Sequence, residues 1–258
     1  MATVICLPIE RESATATVKS QIESLLSSRQ PVLLFLDRIC ELTIEVISKG
    51  SVRRTTLSRQ SGPAAAELGG ECRLELISLF RRRIDESNAK NELHGSYALI
   101  TKKVDRPRLE RAIQESIQGK FIEEKFAEWE EDAFVSVATR LDADDDSHCM
   151  YTFLPMPDAG SPFSGHLNAP FAPKLDRKDL NPKIPLNEML LEVAAEICAE
   201  TIPALRNKKF GIGPTAIVDL LTWKPDQFAR FSKAFSRLNV GKKNWEPCIT
   251  VDFGKVII

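Results

Sequence analysis

The stretch Cys149–Leu180 constrains the fold more than any other part of the chain. It opens with an apolar run, Met150–Leu154, which is typical of a buried strand. Breaking residues then predict a loop, and these are Pro155, Pro157, Gly160 and Pro162. A second short run of small and apolar residues, His166–Phe171, predicts that the chain returns as another strand.

A cluster of charges follows this second strand directly. Its cations are Lys174, Arg177 and Lys178, and they alternate with Asp176 and Asp179. A buried strand that delivers cations on a turn can present them to an anionic group, because lysine and arginine donate charge-assisted hydrogen bonds to phosphate and carboxylate. The alternative is a solvated hairpin loop, in which the cations form surface ion pairs with the two aspartates that contribute little.

The same stretch resembles a known family. The pattern YTFLPM…PF.GHLNAPFAPKLDRKDL…LNEMLLEVAAEIC runs from Tyr151 to Cys198. It is similar to the segment that follows the nucleotide-binding domain in sacsin-like members of the GHKL ATPase superfamily, which includes the ninety-kilodalton heat-shock chaperones, MutL, type II topoisomerase subunits and MORC proteins. In sacsin-like members a pattern FLP…hvNa.F.l…dRR lies in the second, transducer domain. Here the last pair is Arg177-Lys178 instead of two arginines, and the resemblance extends over Pro31–Arg206.

The resemblance implies a fold and a function. The fold is the α+β, ribosomal-protein type: a mixed, mainly antiparallel sheet with helices on one face, followed by a small helical segment. The function is to couple ATP binding and hydrolysis in a preceding domain to conformational change, with a loop cation of the transducer reaching the γ-phosphate held there. Position on the turn favours Arg177, then Lys174, then Lys178 for this catalytic contact.

The N-terminal run ATVICLPI resembles the last strand of a GHKL nucleotide-binding domain, whose pattern is GT.I.LPL, with Ala2 at the glycine position. We therefore expect a fragment in three parts. Residues 1–30 would hold that last strand and a linker helix, residues 31–206 the transducer-like domain, and residues 207–258 the C-terminal helices and a final strand. The alternative is an ordinary first strand at a sheet edge.

The nucleotide-site motifs of the superfamily are an acidic-Asn helix for magnesium and water activation, and a DxGxG loop for adenine. Neither is in this sequence, and the segment Gly211–Pro214 lacks the third glycine and the lysine-serine pair of a phosphate loop. ATP and Mg²⁺ are therefore expected only in the full-length protein. The fragment is expected to bind no cofactor and to be inactive as an ATPase by itself.

Other candidate sites are weaker. The six cysteines and three histidines form no CxxC pair and have no close His spacing, so we predict no metal site. His166 is expected to pack and to hydrogen-bond near its turn. The run Arg81–Arg83 ends a predicted strand and could bind phosphate or nucleic acid; the alternative is a solvated strand end, since no aromatic residues are interleaved.

Composition places the chain among ordinary globular proteins. It has 258 residues, of which 43% are hydrophobic and 28% charged, and its net charge is −1, so no global field draws it to nucleic acid or membranes. No apolar segment is long enough to span a bilayer and no signal peptide is evident, so we predict a cytoplasmic protein. The expected partner is the upstream ATPase domain, with homodimerisation a further option. A second hypothesis is a stand-alone interaction or scaffold protein without nucleotide chemistry, whose helical C-terminal part docks a partner.

Periodicity predicts the remaining elements. The predicted helices are 13–28, 106–131, 186–206, 215–221 and 225–238. The predicted strands are 39–47, 51–59, 72–84, 97–104, 134–141 and 247–258, the last interrupted at Gly254. The run 31–36 fits either a helix start or a buried strand, and Asn187 is expected to cap the helix 186–206.

Overall fold

The structure is a computed structural model. It describes residues 12–27, 31–48, 51–62, 66–68, 71–85, 88–142, 148–206, 210–239, 250–252 and 255–257. The strand predicted near the N-terminus, at residues 3–9, lies outside these ranges.

The helices follow the predicted periodicity closely, with one exception discussed below. They are α1 (Glu12–Ser27), α2 (Arg106–Gln118), α3 (Pro185–Leu205), α4 (Pro214–Leu221) and α5 (Phe228–Asn239), with a short 3-10 helix at Glu124–Glu128. The strands are β1 (Glu41–Ser48), β2 (Ser51–Ser61), β3 (Ala66–Glu67), β4 (Cys72–Asp85), β5 (Asn88–Lys103), β6 (Phe134–Arg140), β7 (Cys149–Thr152), β8 (Leu154–Gly160), β9 (His166–Asn168), β10 (Thr250–Asp252) and β11 (Lys255–Ile257).

Among the described residues, nine strands form one sheet in the order β1-β2-β4-β5-β6-β9-β7-β8, with β3 paired to β4. The pairs β1–β2, β2–β4, β3–β4, β5–β6, β6–β9 and β7–β8 are antiparallel, and β7–β9 is parallel. The predicted α+β class with a mainly antiparallel sheet is therefore confirmed.

The chain divides into two compact units. The first comprises Met1–Ser61 and Ile77–Ser96, and the second comprises Gly62–Leu76 and Tyr97–Ile258. Strand β4 passes from the second unit to the first between Leu76 and Ile77, and β5 returns to the second unit between Ser96 and Tyr97. The domain boundaries after residues 30 and 206, which rest on the family resemblance, stay a prediction.

In the first unit, the apolar run 31–36 is almost wholly buried. It forms neither a helix nor a strand but two hydrogen-bonded turns, in which Leu34 N donates to Pro31 O at 3.0 Å and Leu36 N donates to Leu33 O at 3.2 Å. Apolar side chains of β2 and β4 line the same small cavity as this run. The run therefore serves as the apolar cover of one face of these strands.

Helix α3 is the centre of the second unit. Its sequence is apolar on nearly every side, which is typical of a helix buried all round, and it packs against α2, α4, α5 and β6. In the antiparallel register of β5 and β6, Ile100 lies opposite Val137 and Lys102 lies opposite Val135, so these four residues share one face of the sheet. Because Lys102 Nζ reaches Glu200 of α3 at 2.6 Å, α3 lies on the face that carries these residues.

The helix predicted over residues 106–131 is wrong in its second half. It ends at Gln118, where Gly119 N donates back to Glu115 O and Lys120 adopts a left-handed φ of 57°. A Cβ at position 119 would lie 2.5 Å from the ring of Phe121, so a larger residue there would have to displace that exposed ring. The acidic segment beyond it holds only the short 3-10 helix.

The loop predicted from the prolines of the segment 155–162 is also wrong in part. Residues Leu154–Gly160 form β8, which pairs with β7 through an irregular register between Cys149 and Met150. Because β8 is the last strand in the order of the sheet, Pro155 and Pro157 do not remove hydrogen bonds that a central strand would need.

The last predicted strand, 247–258, is two short strands in the residues that the structure describes. Thr250 of β10 lies opposite Ile257 of β11 in an antiparallel pair. Gly254, where the predicted strand was expected to be interrupted, lies outside the described residues.

Candidate functional site

The predicted cations lie on one tight reversal of the second unit, residues 173–180, which we refer to as the cation turn. Pro173 and Leu180 form an antiparallel bridge at its base. Above them Lys174 N donates to Asp179 O at 2.8 Å, and Arg177 N donates to Lys174 O at 2.8 Å. The second of these bonds closes a β-turn, so the chain reverses within a few residues.

The tip of the cation turn has a constrained backbone. Arg177 adopts φ 56°, the left-handed region that side chains other than glycine seldom occupy and that costs of the order of 1 kcal/mol or more. Lys178 N donates to Asp176 Oδ1 at 3.1 Å, which is an Asx-turn around the same residue. These contacts fix the direction in which the backbone of Arg177 presents its side chain.

The three cations differ in their partners. The Lys174 ammonium pairs with the Asp179 carboxylate, and this hydrogen bond raises the pKa of Lys174 and lowers that of Asp179. Arg177 and Lys178 are exposed, and among the described residues their side chains form neither a hydrogen bond nor an ion pair. The turn therefore presents two unpaired cations to solvent, whereas Lys174 forms one of the ion pairs that the alternative interpretation predicts.

The base of the cation turn is attached to α3 by Asn187. This side chain is fully buried, its Oδ1 accepts from Ala172 N at 2.8 Å, and its Nδ2 donates to Ala172 O and Asn181 O, both at 2.9 Å. One amide thus holds both ends of the turn. The prediction that Asn187 caps α3 is wrong, because the helix begins at Pro185 and Asn187 lies within its first turn, facing the loop.

Two further hydrogen bonds extend this attachment. Leu186 N, at the start of α3, donates to Ser116 Oγ of α2 at 2.9 Å, and Ser116 Oγ donates to Ala112 O at 2.7 Å. At the turn itself, Lys178 O accepts from Asp158 N of β8 at 2.9 Å. The turn is therefore tied to the edge strand as well as to the α2–α3 pair.

Ion pairs link α3 to the helices on either side of it. Arg108 of α2 donates to both carboxylate oxygens of Glu196 at 2.9 Å and to Glu192 at 2.9 Å. From α5, Lys233 lies 3.4 Å from Glu192 and Arg237 lies 3.7 Å from Glu196. Burial alone would lower the pKa of Arg108, yet its hydrogen bonds with the two glutamates raise that pKa overall.

The second unit also contains a buried histidine–tyrosine cluster on the strands. His166 is 1% exposed, and its ring centroid lies 5.7 Å from that of Tyr151 and 5.9 Å from those of Tyr97 and His148. Ring packing is thus part of its role, as expected from the sequence.

Two of the buried cysteines, Cys72 and Cys198, are poorly disposed for nucleophilic chemistry. Burial, as the largest cause, raises the pKa of the Cys72 thiol to about 12, and burial likewise raises the pKa of Cys198. No group of three or more His, Cys, Asp or Glu side chains is gathered in the described ranges to hold a metal ion.

Sequence reasoning identified the cations but missed Asn187 and Ser116 as the residues that anchor them. The available signal was compositional. Asn187 falls on the same helical face as the apolar residues Leu190 and Ala194, and a buried amide on that face must find hydrogen-bond partners outside the helix.

Comparison of the chain with protein-family models, with curated proteins and with solved structures returned no match. Within the described residues, none of the helices has the length and apolar character needed to cross a membrane.

Proposed function

We propose that this chain is the transducer region of a sacsin-like GHKL ATPase and that its cation turn contacts nucleotide held by the upstream domain. The observation that carries the proposal is the presentation of Arg177 and Lys178 without protein partners, on a turn whose two ends are held by one buried side chain of α3. A cation that is free of ion pairs and carried on a constrained backbone is suited to an anion that arrives from outside the chain.

The chemistry asked of the turn is electrostatic. A guanidinium beside the γ-phosphate stabilises the charge that develops on the transferred phosphoryl oxygens, and it loses its partner once the γ-phosphate departs. Arg177 is the first candidate because its planar fork can donate two parallel hydrogen bonds to one phosphate. Lys178 is second, and Lys174 is third because its ammonium already pairs with Asp179.

Because the cation turn is attached to α3, contact of the turn with nucleotide would act on the position of that helix. A displacement of the cation turn acts on Asn187, and through it on the N-terminal end of α3. Ser116 and the ion pairs of Glu192 and Glu196 then join α3 to α2 and α5. Nucleotide state in the upstream domain would thus be passed to this helical layer.

In this proposal ATP and Mg²⁺ belong to the full-length protein, the partner is its own ATPase domain, and the protein acts in the cytoplasm. The test is to fuse the chain to its upstream ATPase domain and to measure ATP turnover. Arg177→Ala should reduce kcat by about 10²-fold or more, the usual loss for one electrostatic contact to the transition state.

Arg111→Ala is the matched control, because Arg111 is an exposed arginine of α2 without an ion pair in the described part of the chain. Its turnover should equal that of wild type. Equal turnover of the Arg177→Ala and Arg111→Ala fusions would remove the catalytic contact from the proposal.

A further inference from the structure

The first unit concentrates cations where β2 begins and β4 ends. The run Arg81–Arg83 closes β4, and the antiparallel register places Arg83 opposite Thr55, Arg82 opposite Thr56 and Arg81 opposite Leu57. Arg53 and Arg54 occupy the adjoining positions of β2, with Arg54 opposite Ile84. We refer to these five arginines, Arg53, Arg54, Arg81, Arg82 and Arg83, as the arginine end.

Register also assigns the arginines to the two faces of the strand pair. Arg83 shares a face with Thr55 and therefore with Arg53, two residues earlier, so these two are diagonal neighbours across the strands. Arg82 shares the opposite face with Thr56 and therefore with Arg54. Cations thus project from both faces of the same strand ends.

Among the described residues, three of the five arginines form no ion pair, although the carboxylate of Glu92 acts electrostatically on Arg81 and Arg83. Arg54 pairs with Glu45. Arg53, Arg82 and Arg83 are exposed, and in the part of the chain that the structure describes none of them forms a salt bridge or a side-chain hydrogen bond. The arginine end therefore holds more cations than paired carboxylates, although the whole chain has a net charge of −1.

Arg81 adds an energetic observation. It is only 9% exposed, and burial, followed by repulsion from Arg83, lowers its pKa, while Glu92 opposes this. Arg81 is thus partly desolvated beside Arg83, and a bound anion would add to the compensation that Glu92 already supplies.

We infer that the arginine end binds the phosphate backbone of a nucleic acid. Arginine is the side chain best matched to phosphate oxygens, and a polyphosphate backbone supplies negative charges at the repeated spacing that several arginines need. Cations on both faces of a strand end can contact the two phosphate rows that border one duplex groove, whereas a flat anionic membrane meets only one of these faces.

The contacts are to backbone and not to bases. No aromatic residue lies in residues 51–56 or 81–84, so no platform for stacking unpaired bases is present there. Duplexes should therefore bind at least as tightly as single strands, without dependence on base sequence.

The test is fluorescence anisotropy with the full chain and labelled oligonucleotides of mixed sequence, as DNA duplex, RNA duplex and single strand, over a range of salt concentrations. Wild type should bind at least one duplex with a Kd between about 10⁻⁶ and 10⁻⁴ M at physiological salt, and the logarithm of affinity should fall linearly with that of salt. The triple variant Arg53→Gln, Arg82→Gln, Arg83→Gln should lose about 10-fold or more in affinity, and its salt slope should fall by about 2 to 3.

The matched control is Arg111→Gln, Lys183→Gln, Lys224→Gln, which removes the same charge from exposed positions of the second unit. This control variant should retain most of the wild-type affinity for the duplex and most of the wild-type salt slope. Equal losses in the two triple variants would overturn the assignment, as would absence of wild-type binding at low salt. If phosphatidylserine vesicles or polyglutamate compete as well as unlabelled duplex, the surface is a general polyanion site and the inference fails.

Should the triple variant not fold, as judged by circular dichroism, the single variants Arg82→Gln and Arg83→Gln replace it. Each should lower the salt slope by about 0.9, the value for one duplex phosphate contact. Unchanged slopes in both single variants would overturn the proposal. None of these measurements depends on the ATPase assignment, because they need no upstream domain.

Discussion

Arg177 and Asn187 have complementary parts in the cation turn. Arg177 supplies an exposed charge on a left-handed backbone, and Asn187 supplies the three hydrogen bonds that hold the ends of that backbone. The exposed arginine is open to substitution without loss of packing. The buried amide is not, because its removal leaves backbone groups without partners.

Asn187→Leu is expected to destabilise the second unit by about 3 kcal/mol, because Ala172 N, Ala172 O and Asn181 O lose their partner in a buried place. The measurement is urea unfolding followed by circular dichroism. The urea concentration at the midpoint of unfolding should fall, whereas the slope of unfolding free energy against urea concentration should change little.

Asn168→Leu serves as the comparison. Asn168 Oδ1 accepts a single hydrogen bond, 2.9 Å from Phe153 N at an exposed hairpin tip. Its loss should cost about 1 kcal/mol or less, since water can replace the bond. If the Asn187 variant proves no less stable than the Asn168 variant, Asn187 is not the anchor of the turn.

At the scale of elements, α3 is held to its neighbours partly by charge. Burial by itself would raise the pKa of Glu192, but Lys233 of α5 and Arg108 of α2 lower it overall. A carboxylate whose pKa is lowered on folding stabilises the fold above its ordinary pKa of 4.5 and loses that effect as the pH falls through the lowered value.

Glu192→Gln should therefore flatten the pH dependence of stability below pH 4.5. The check is the thermal unfolding midpoint of wild type and variant across the acid range, at low salt to limit screening. Glu115→Gln, at an exposed position of α2 without an ion pair among the described residues, should leave the wild-type dependence unchanged. Parallel curves for wild type and the Glu192 variant would show that this ion-pair network does not contribute.

The elements differ in how far the sequence determined them. The apolar residues of α3 and the alternating pattern of β6 predicted both elements, although α3 is buried on nearly every side and β6 on both faces. The apolar pattern of residues 106–131 continues past Gly119, but the chain leaves the helix there and Lys120 takes a left-handed φ of 57°. β8 was missed because proline disfavours strands in general, and sequence alone does not reveal that a strand lies at the edge of its sheet.

The candidate site was predictable only in part for a similar reason. Spacing and resemblance pointed to Lys174, Arg177 and Lys178, but a one-dimensional pattern does not reveal which cation is paired. Local rules assigned Asn187 to a cap, whereas its partners, Ala172 and Asn181, are brought to it by the path of the loop. Long-range contacts of this kind follow from the fold and not from local preference.

At the scale of the whole molecule, the two proposals belong to different units of the chain. The cation turn lies in the second unit and the arginine end in the first. Each can therefore fail without the other: a nucleic-acid variant should keep its nucleotide response, and an Arg177 variant should keep its salt-dependent binding. Measuring both properties on both sets of variants separates the two functions.

The most direct measurement is the affinity of this chain for its isolated upstream ATPase domain, loaded either with a non-hydrolysable ATP analogue or with ADP. If Arg177 contacts the γ-phosphate, wild type should bind the triphosphate-loaded domain about 10-fold or more tightly than the ADP-loaded domain, which is the usual size of such a coupling. Arg177→Ala should bind both forms equally, while Arg111→Ala should behave as wild type. Equal affinity of wild type for the two forms, or a preference that survives in Arg177→Ala, would contradict the account.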